Sequence, residues 1–151
     1  MVIFTKRESY EKQIAIYLGN RDYQKAYDLS REFVERFSAE MLAHFLLMKS
    51  AFWIKKFDEA IKEGRAAFNL SQGEDMLTCA VILSSSYYLN GNQEECYKLL
   101  SKMKADGNPD VEKLMFIYAL AVKNEQEAMQ HIDKLYKINR RLAEEFIMKF
   151  L

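Results

Sequence analysis

Proline is almost missing from this chain, glycine is scarce, and neither sign of charge is in excess. One proline and five glycines occur in 151 residues, and both types fall at apparent junctions. With so few breakers and with apolar residues three and four apart, the pattern is helical; period-two alternation is not sustained anywhere. Lysine plus arginine equals aspartate plus glutamate at 22 each, and the pI is near 6.7. Without a basic stripe or a high pI, the chain lacks the footprint of a nucleic-acid binder. A polybasic membrane anchor is equally unsupported. Two cysteines, Cys79 and Cys96, do not make a disulfide framework in a chain of this length. The longest apolar stretch, Met41 to Ile54, is interrupted by His44, Lys49 and Ser50, whereas crossing a bilayer takes about 20 mostly apolar residues. Met1-Val2-Ile3-Phe4 stops at Thr5-Lys6-Arg7-Glu8, short of a signal-peptide core of roughly 7–15 residues. The expectation is a chain with no membrane span in the cytoplasm.

What is present is a recurrence. Tyr23-Gln24-Lys25-Ala26, Phe57-Asp58-Glu59-Ala60, Gln93-Glu94-Glu95-Cys96 and Glu125-Gln126-Glu127-Ala128 occupy equivalent settings. Ala26, Ala60, Cys96 and Ala128 are separated by 34, 36 and 32 positions. A period in that range means stacked supersecondary units rather than one closed core. Nine helices are predicted, over 5–18, 22–36, 39–54, 57–70, 73–89, 92–104, 110–122, 124–137 and 139–150. Thr5 with Glu8, and Ser71 with Glu74, have the spacing of capping boxes. Asn108 precedes Pro109, which suits a helix start because its missing N–H is not needed there. Gly19-Asn20, Gly73, Gly91-Asn92 and Gly107-Asn108 are expected in turns. Short turns force antiparallel pairs, and a small residue one turn into each second helix lets the first helix approach within the usual 8–10 Å. Tyr23 and Phe57 can then fill the space at the turn.

These residues resemble the tetratricopeptide repeat, a 34-residue helix–turn–helix unit. Its aromatic followed after two residues by alanine appears as Tyr23…Ala26 and Phe57…Ala60, while the later copies keep only the small residue. Leu47-Met48 and Leu83-Ser84 stand where the family favours leucine-glycine, and Pro109 approximates its unit-ending proline. The resemblance implies a single all-α domain: an α-α superhelix, or solenoid, of about four antiparallel hairpins plus a C-terminal capping helix. The approximate units are 5–38, 39–72, 73–108 and 109–138, with the cap over 139–151.

By position, the resemblance also implies a concave groove lined by the first helix of each pair. Its lining is Glu11, Lys12, Ala15 and Leu18, then Phe45, Lys49, Phe52 and Trp53. The third unit adds Val81, Ile82, Ser85, Tyr88 and Leu89; the fourth adds Lys113, Leu114, Ile117, Leu120 and Ala121. Lys12 and Lys49 are the only candidates for holding a terminal carboxylate, and without asparagines they argue against a carboxylate clamp.

Helices 41–54, 76–89 and 114–122 are apolar nearly all round, while 57–70 carries a charged face of Asp58, Glu59, Lys62, Glu63 and Arg65. Packing on both neighbours accounts for much of this apolar surface. The remainder favours a partner, because exposed aromatic patches mark interaction sites. In the last helix, Leu142, Phe146, Ile147, Phe150 and Leu151 form a stripe opposite Arg140, Arg141, Glu144, Glu145 and Lys149. It either covers the last repeat or exchanges into a second copy to make a homodimer.

No catalytic constellation is present in the sequence. His44 is expected as a satisfied core histidine and His131 at a helix surface. Cys79 and Cys96 lack the pairing of a zinc or redox site. Ser84-Ser85-Ser86 lacks a nucleophile-elbow context, and Gly91-Asn92 is a turn with no phosphate-loop pattern. Glu94-Glu95 and Glu144-Glu145 read as solvated faces. The expectation is a non-enzymatic protein-interaction module with no cofactor or metal. It would act as an adaptor or chaperone, holding an amphipathic helix or apolar segment. The alternative is a self-associating scaffold module of a larger assembly.

Overall fold

The computed structural model describes residues 4–102 and 108–150, except the side chain of Phe150. Among the described residues all regular structure is α-helical. The order is α1 (Lys6–Gly19), α2 (Tyr23–Arg36), α3 (Met41–Trp53), α4 (Phe57–Leu70), α5 (Gly73–Leu89), α6 (Gln93–Lys102), α7 (Pro109–Ala121), α8 (Glu125–Ile138) and α9 (Arg140–Phe150). The chain forms two compact units, Met1–Gly91 and Asn92–Leu151, so a boundary falls between α5 and α6.

In the first unit α1, α3 and α5 are neighbours in that order. On one side α2 packs on α1 and α3, and α4 packs on α3 and α5. This makes two layers, with the apolar α3 in the middle. Tyr10, Ile14, Ala26, Phe33, Ala43 and Leu46 form a buried cluster at the α1–α2–α3 junction. Tyr10 stacks on Phe33 with ring centroids 5.1 Å apart. In the second unit α6 packs on α7, α7 on α8 and α8 on α9.

The recurrence seen in the sequence reappears as a backbone event. Residues with left-handed φ stand at Arg21, Lys55, Gly91 and Lys123, each five positions before Ala26, Ala60, Cys96 and Ala128. Around Arg21 the Asp22 N–H donates to the Tyr17 carbonyl and the Arg21 N–H to that of Leu18. The same two bonds form from Lys56 and Lys55, and again from Asn124 and Lys123. This is the Schellman ending, which satisfies carbonyls left over at a helix C-terminus. The four small residues are buried, and α2, α4, α6 and α8 all start three positions before them.

The glycine expectation needs correction. Gly19 closes α1 inside the helix, and the left-handed place goes to Arg21. Gly73 is left-handed as well, and of the five such residues among those described Arg21, Lys55 and Lys123 carry a Cβ, which costs roughly 1–2 kcal/mol in that conformation. Lys55→Gly should therefore raise stability by about 0.5–1 kcal/mol after the extra freedom of the unfolded chain is subtracted. Thermal unfolding checks this, and a lowered midpoint would contradict it. Gly107 lies outside the described residues.

Two capping predictions hold and one does not. The Thr5 hydroxyl accepts from the Glu8 N–H, and the Glu8 carboxylate accepts from the Thr5 N–H, both at 3.1 Å. The Asn108 side chain accepts from the N–H groups of Asp110 and Val111. Ser71 forms no capping box with Glu74: its hydroxyl donates to the Phe68 carbonyl at 2.8 Å, ending α4 instead. Nor do all glycines sit at junctions. Gly64 lies buried inside α4 against Met48 and Leu83.

Candidate functional site

Helix geometry places Leu42, Phe45, Leu46, Lys49 and Trp53 on one face of α3, within about a third of a turn. That face looks along the layer of α1, α3 and α5. Beside the C-terminal half of α3 lies an open groove of about 420 Å³, lined by Ala15, Leu18 and Gly19 of α1, Tyr23 of α2, and Leu46, Lys49 and Trp53. Trp53 is 49% exposed, yet it is held in place. Its indole stacks on Tyr23 with centroids 5.2 Å apart and planes 9° apart. Phe52 braces it edge-on at 5.7 Å. Lys49 is half-buried at this groove and has no ion-pair partner among the described residues.

Across the other flank of α3, towards its N-terminus, Met41, Leu42 and Phe45 meet Asp75, Thr78 and Cys79 of α5. They enclose a crevice of about 80 Å³. The α1–α3–α5 face of the first unit therefore carries two depressions, one on each side of α3.

The predicted lining residues divide among several places. Lys49 and Trp53 line the groove together with Ala15 and Leu18, and Phe45 lines the crevice. Phe52 turns toward the α3–α4 connection, edge-on to Phe57 at 5.9 Å. Ile82, Ser85 and Tyr88 are half-buried on α5 and line neither depression, and the Ser85 hydroxyl donates to the Val81 carbonyl of its own helix. Leu114 and Ile117 are half-buried residues of the second unit. Phe146, assigned to self-association, packs edge-on against Phe116 at 5.5 Å and joins the α8–α9 core of Ile132, Leu135 and Ala143. The side chains of Phe150 and Leu151 lie outside the description. Sequence reasoning missed Tyr23 as part of the groove wall, together with Leu46 and the whole crevice. The run Leu42, Phe45, Leu46, Lys49, Trp53 at helical spacing was the available signal.

Two buried polar pairs stand away from this face. His44 Nδ1 meets Glu63 Oε2 at 2.6 Å, and its Nε2 meets the Ser38 carbonyl at 2.7 Å. Glu63, read as part of the charged face of 57–70, is instead buried against this histidine. His131 is not at the surface either. It is 8% exposed and its Nδ1 meets Oε2 of Glu112, itself 2% exposed, at 2.7 Å. Glu127 Oε1 lies 3.6 Å from its Nε2. Each pair spans the two helices of one hairpin, nineteen positions apart. Both partners find satisfied hydrogen bonds, as buried polar groups require.

Other reactive side chains are quenched by their surroundings. Burial pushes the Cys96 thiol up to about 11 and the Cys79 thiol up as well, so both stay protonated at neutral pH and lack the thiolate needed for attack. Burial, then the hydrogen bond to Glu59, raises the Tyr27 phenol to about 12. Among the described residues no group of three or more His, Cys, Asp or Glu is placed to hold a metal ion. No described helix is long and apolar enough to cross a membrane. No protein-family model matches the chain, and no curated protein matches it.

Proposed function

We propose that the chain is a tetratricopeptide-like helical-repeat module. In this reading it stacks its hairpins as a solenoid and works without catalysis, as an adaptor or chaperone for a protein segment. The observation that carries this reading is Trp53, a half-exposed indole clamped by Tyr23 and Phe52 at the mouth of an apolar groove. A ring held rigid before binding loses little freedom on binding, and aromatic residues of this kind supply most hot-spot energy. The turns at Arg21, Lys55, Gly91 and Lys123 support the repeat reading. A tail-exchanged scaffold finds less support, because Phe146 is already used within its own unit.

The test uses peptides selected from a random displayed library on the full chain. Trp53→Ala should weaken a selected peptide about thirty-fold, equivalent to a hot spot of about 2 kcal/mol. It should leave the thermal midpoint within a few degrees of the parent. Unfolding with no separate binding loss would make Trp53 a packing residue and end the proposal.

A further inference from the structure

We infer that the α1–α3–α5 face takes an amphipathic helix of a partner protein at two points and in one direction. Its N-terminal half would lie at the α3–α5 crevice and its C-terminal half at the Trp53 groove. This rests on the groove reading above and adds spacing and polarity to it. Phe45 in the crevice and Trp53 in the groove are eight positions apart on α3, roughly 12 Å along the helix axis. A partner helix crossing α3 obliquely, from its α5 flank to its α1 flank, spans the two depressions with apolar residues about seven or eight positions apart, which fall on one of its own faces. The crevice is the smaller depression and suits a short aliphatic side chain. The groove is open and lined by the rings of Tyr23 and Trp53, so it suits a larger one.

The charges at the two ends are opposite. Asp75 lines the crevice, and Glu74 precedes it in the first turn of α5. Lys49 is the single charged residue lining the groove and has no ion-pair partner among the described residues. Its stem is half-buried against the groove wall, and a carboxylate from the partner supplies the ammonium with a charge-assisted hydrogen bond. A docked helix brings the positive end of its dipole to Asp75 and the negative end to Lys49 only in this one orientation. A basic residue near the first anchor and an acidic one near the second add to the same preference. An extended strand would also reach both depressions, but it carries almost no net dipole. The helix is therefore the occupant that the charges select.

The library selection described above provides the probes, 18-residue peptides without tryptophan, and the chain provides the reporter. Trp53 is its only tryptophan, so its emission reads occupancy of the groove directly. Selected peptides should carry an apolar pair seven or eight positions apart, with lysine or arginine towards the N-terminus and aspartate or glutamate towards the C-terminus. At low salt, reversing that charge order in a synthetic copy should weaken binding about ten-fold. Lys49→Glu or Asp75→Lys should remove the preference while leaving helical content unchanged. Peptides that shift Trp53 emission without the paired anchors, or with no dependence on charge order, would overturn the two-point inference and leave the groove reading intact. Selection of no peptide that shifts Trp53 emission would overturn both. A dimer in sedimentation that dissociates on Trp53→Glu would assign the face to a second copy and also overturn the inference.

Discussion

Replacing Gly64 by isoleucine is expected to destabilise the first unit by about 3 kcal/mol, near the upper end of ordinary overpacking costs. A Cβ at this position would stand 2.8 Å from Met48 Sδ, 3.0 Å from Leu83 Cδ1 and 3.4 Å from Leu83 Cβ. The first two atoms lie towards the ends of flexible side chains and can move aside for one methyl group. The third is fixed to the α5 backbone, and a branched side chain must push against it. Gly64→Ala provides the control. Alanine gains about 1 kcal/mol over glycine in a helix interior, which offsets a small displacement of Met48, so the alanine variant should stay close to the parent. A urea titration of both variants decides the matter. Equal losses would mean that α4 is not held close by this glycine. The effect bears on the candidate site, because Gly64 sets how near α4 comes to α3 and α5, the two helices that form the crevice.

Much of the fold is legible in the residues because its signals are local. Apolar spacing and Asn108-Pro109 placed most helix ends within one or two residues of where they stand. The alanines and the cysteine marked where neighbouring helices come close, and these residues are buried. What escaped was decided by contacts between segments. Glu63 looks solvated within α4 and becomes buried only because His44 arrives from α3. His131 looks like a surface residue until Glu112 packs across from α7. Gly64 reads as an ordinary weak helix position, whereas its purpose is the space left for Met48 and Leu83. The candidate site was half legible for the same reason. The stripe on α3 is periodic and local, but the groove wall from Tyr23 and the crevice wall from Cys79 are supplied by α2 and α5. Left-handed backbone at Arg21, Lys55 and Lys123 escaped because no glycine or asparagine announced it. The Schellman hydrogen bonds imposed it.

Glu112→Ala is expected to cost about 3 kcal/mol, because it strips His131 of its buried partner, and His131→Ala should cost a similar amount. Exchanging the two residues should recover most of that loss. The reason lies in the other hairpin. His44 stands eleven positions before the left-handed Lys55 and Glu63 eight after it. Glu112 stands eleven positions before the left-handed Lys123 and His131 eight after it. The two hairpins thus carry the same cross-helix pair at the same two places with the residues in opposite order. Either order closes the bond at 2.6–2.7 Å, so the site is indifferent to which helix supplies which group. A second recurrence supports the equivalence: Tyr27 donates to Glu59, and Tyr97 donates to Glu127. Each tyrosine is six positions after its left-handed residue, and each glutamate is four after the next one. In the exchanged variant the new carboxylate on α8 would face Glu127 one turn away, and like charges at that spacing repel. Adding Glu127→Gln removes that repulsion while keeping an acceptor for the Tyr97 hydroxyl. The triple variant Glu112→His/His131→Glu/Glu127→Gln should then unfold in urea within about 1 kcal/mol of the parent, against the 3 kcal/mol lost by either alanine variant. If the triple variant is no more stable than the alanine variants, the two hairpins are not built to a common plan, and the matching offsets are a coincidence of spacing.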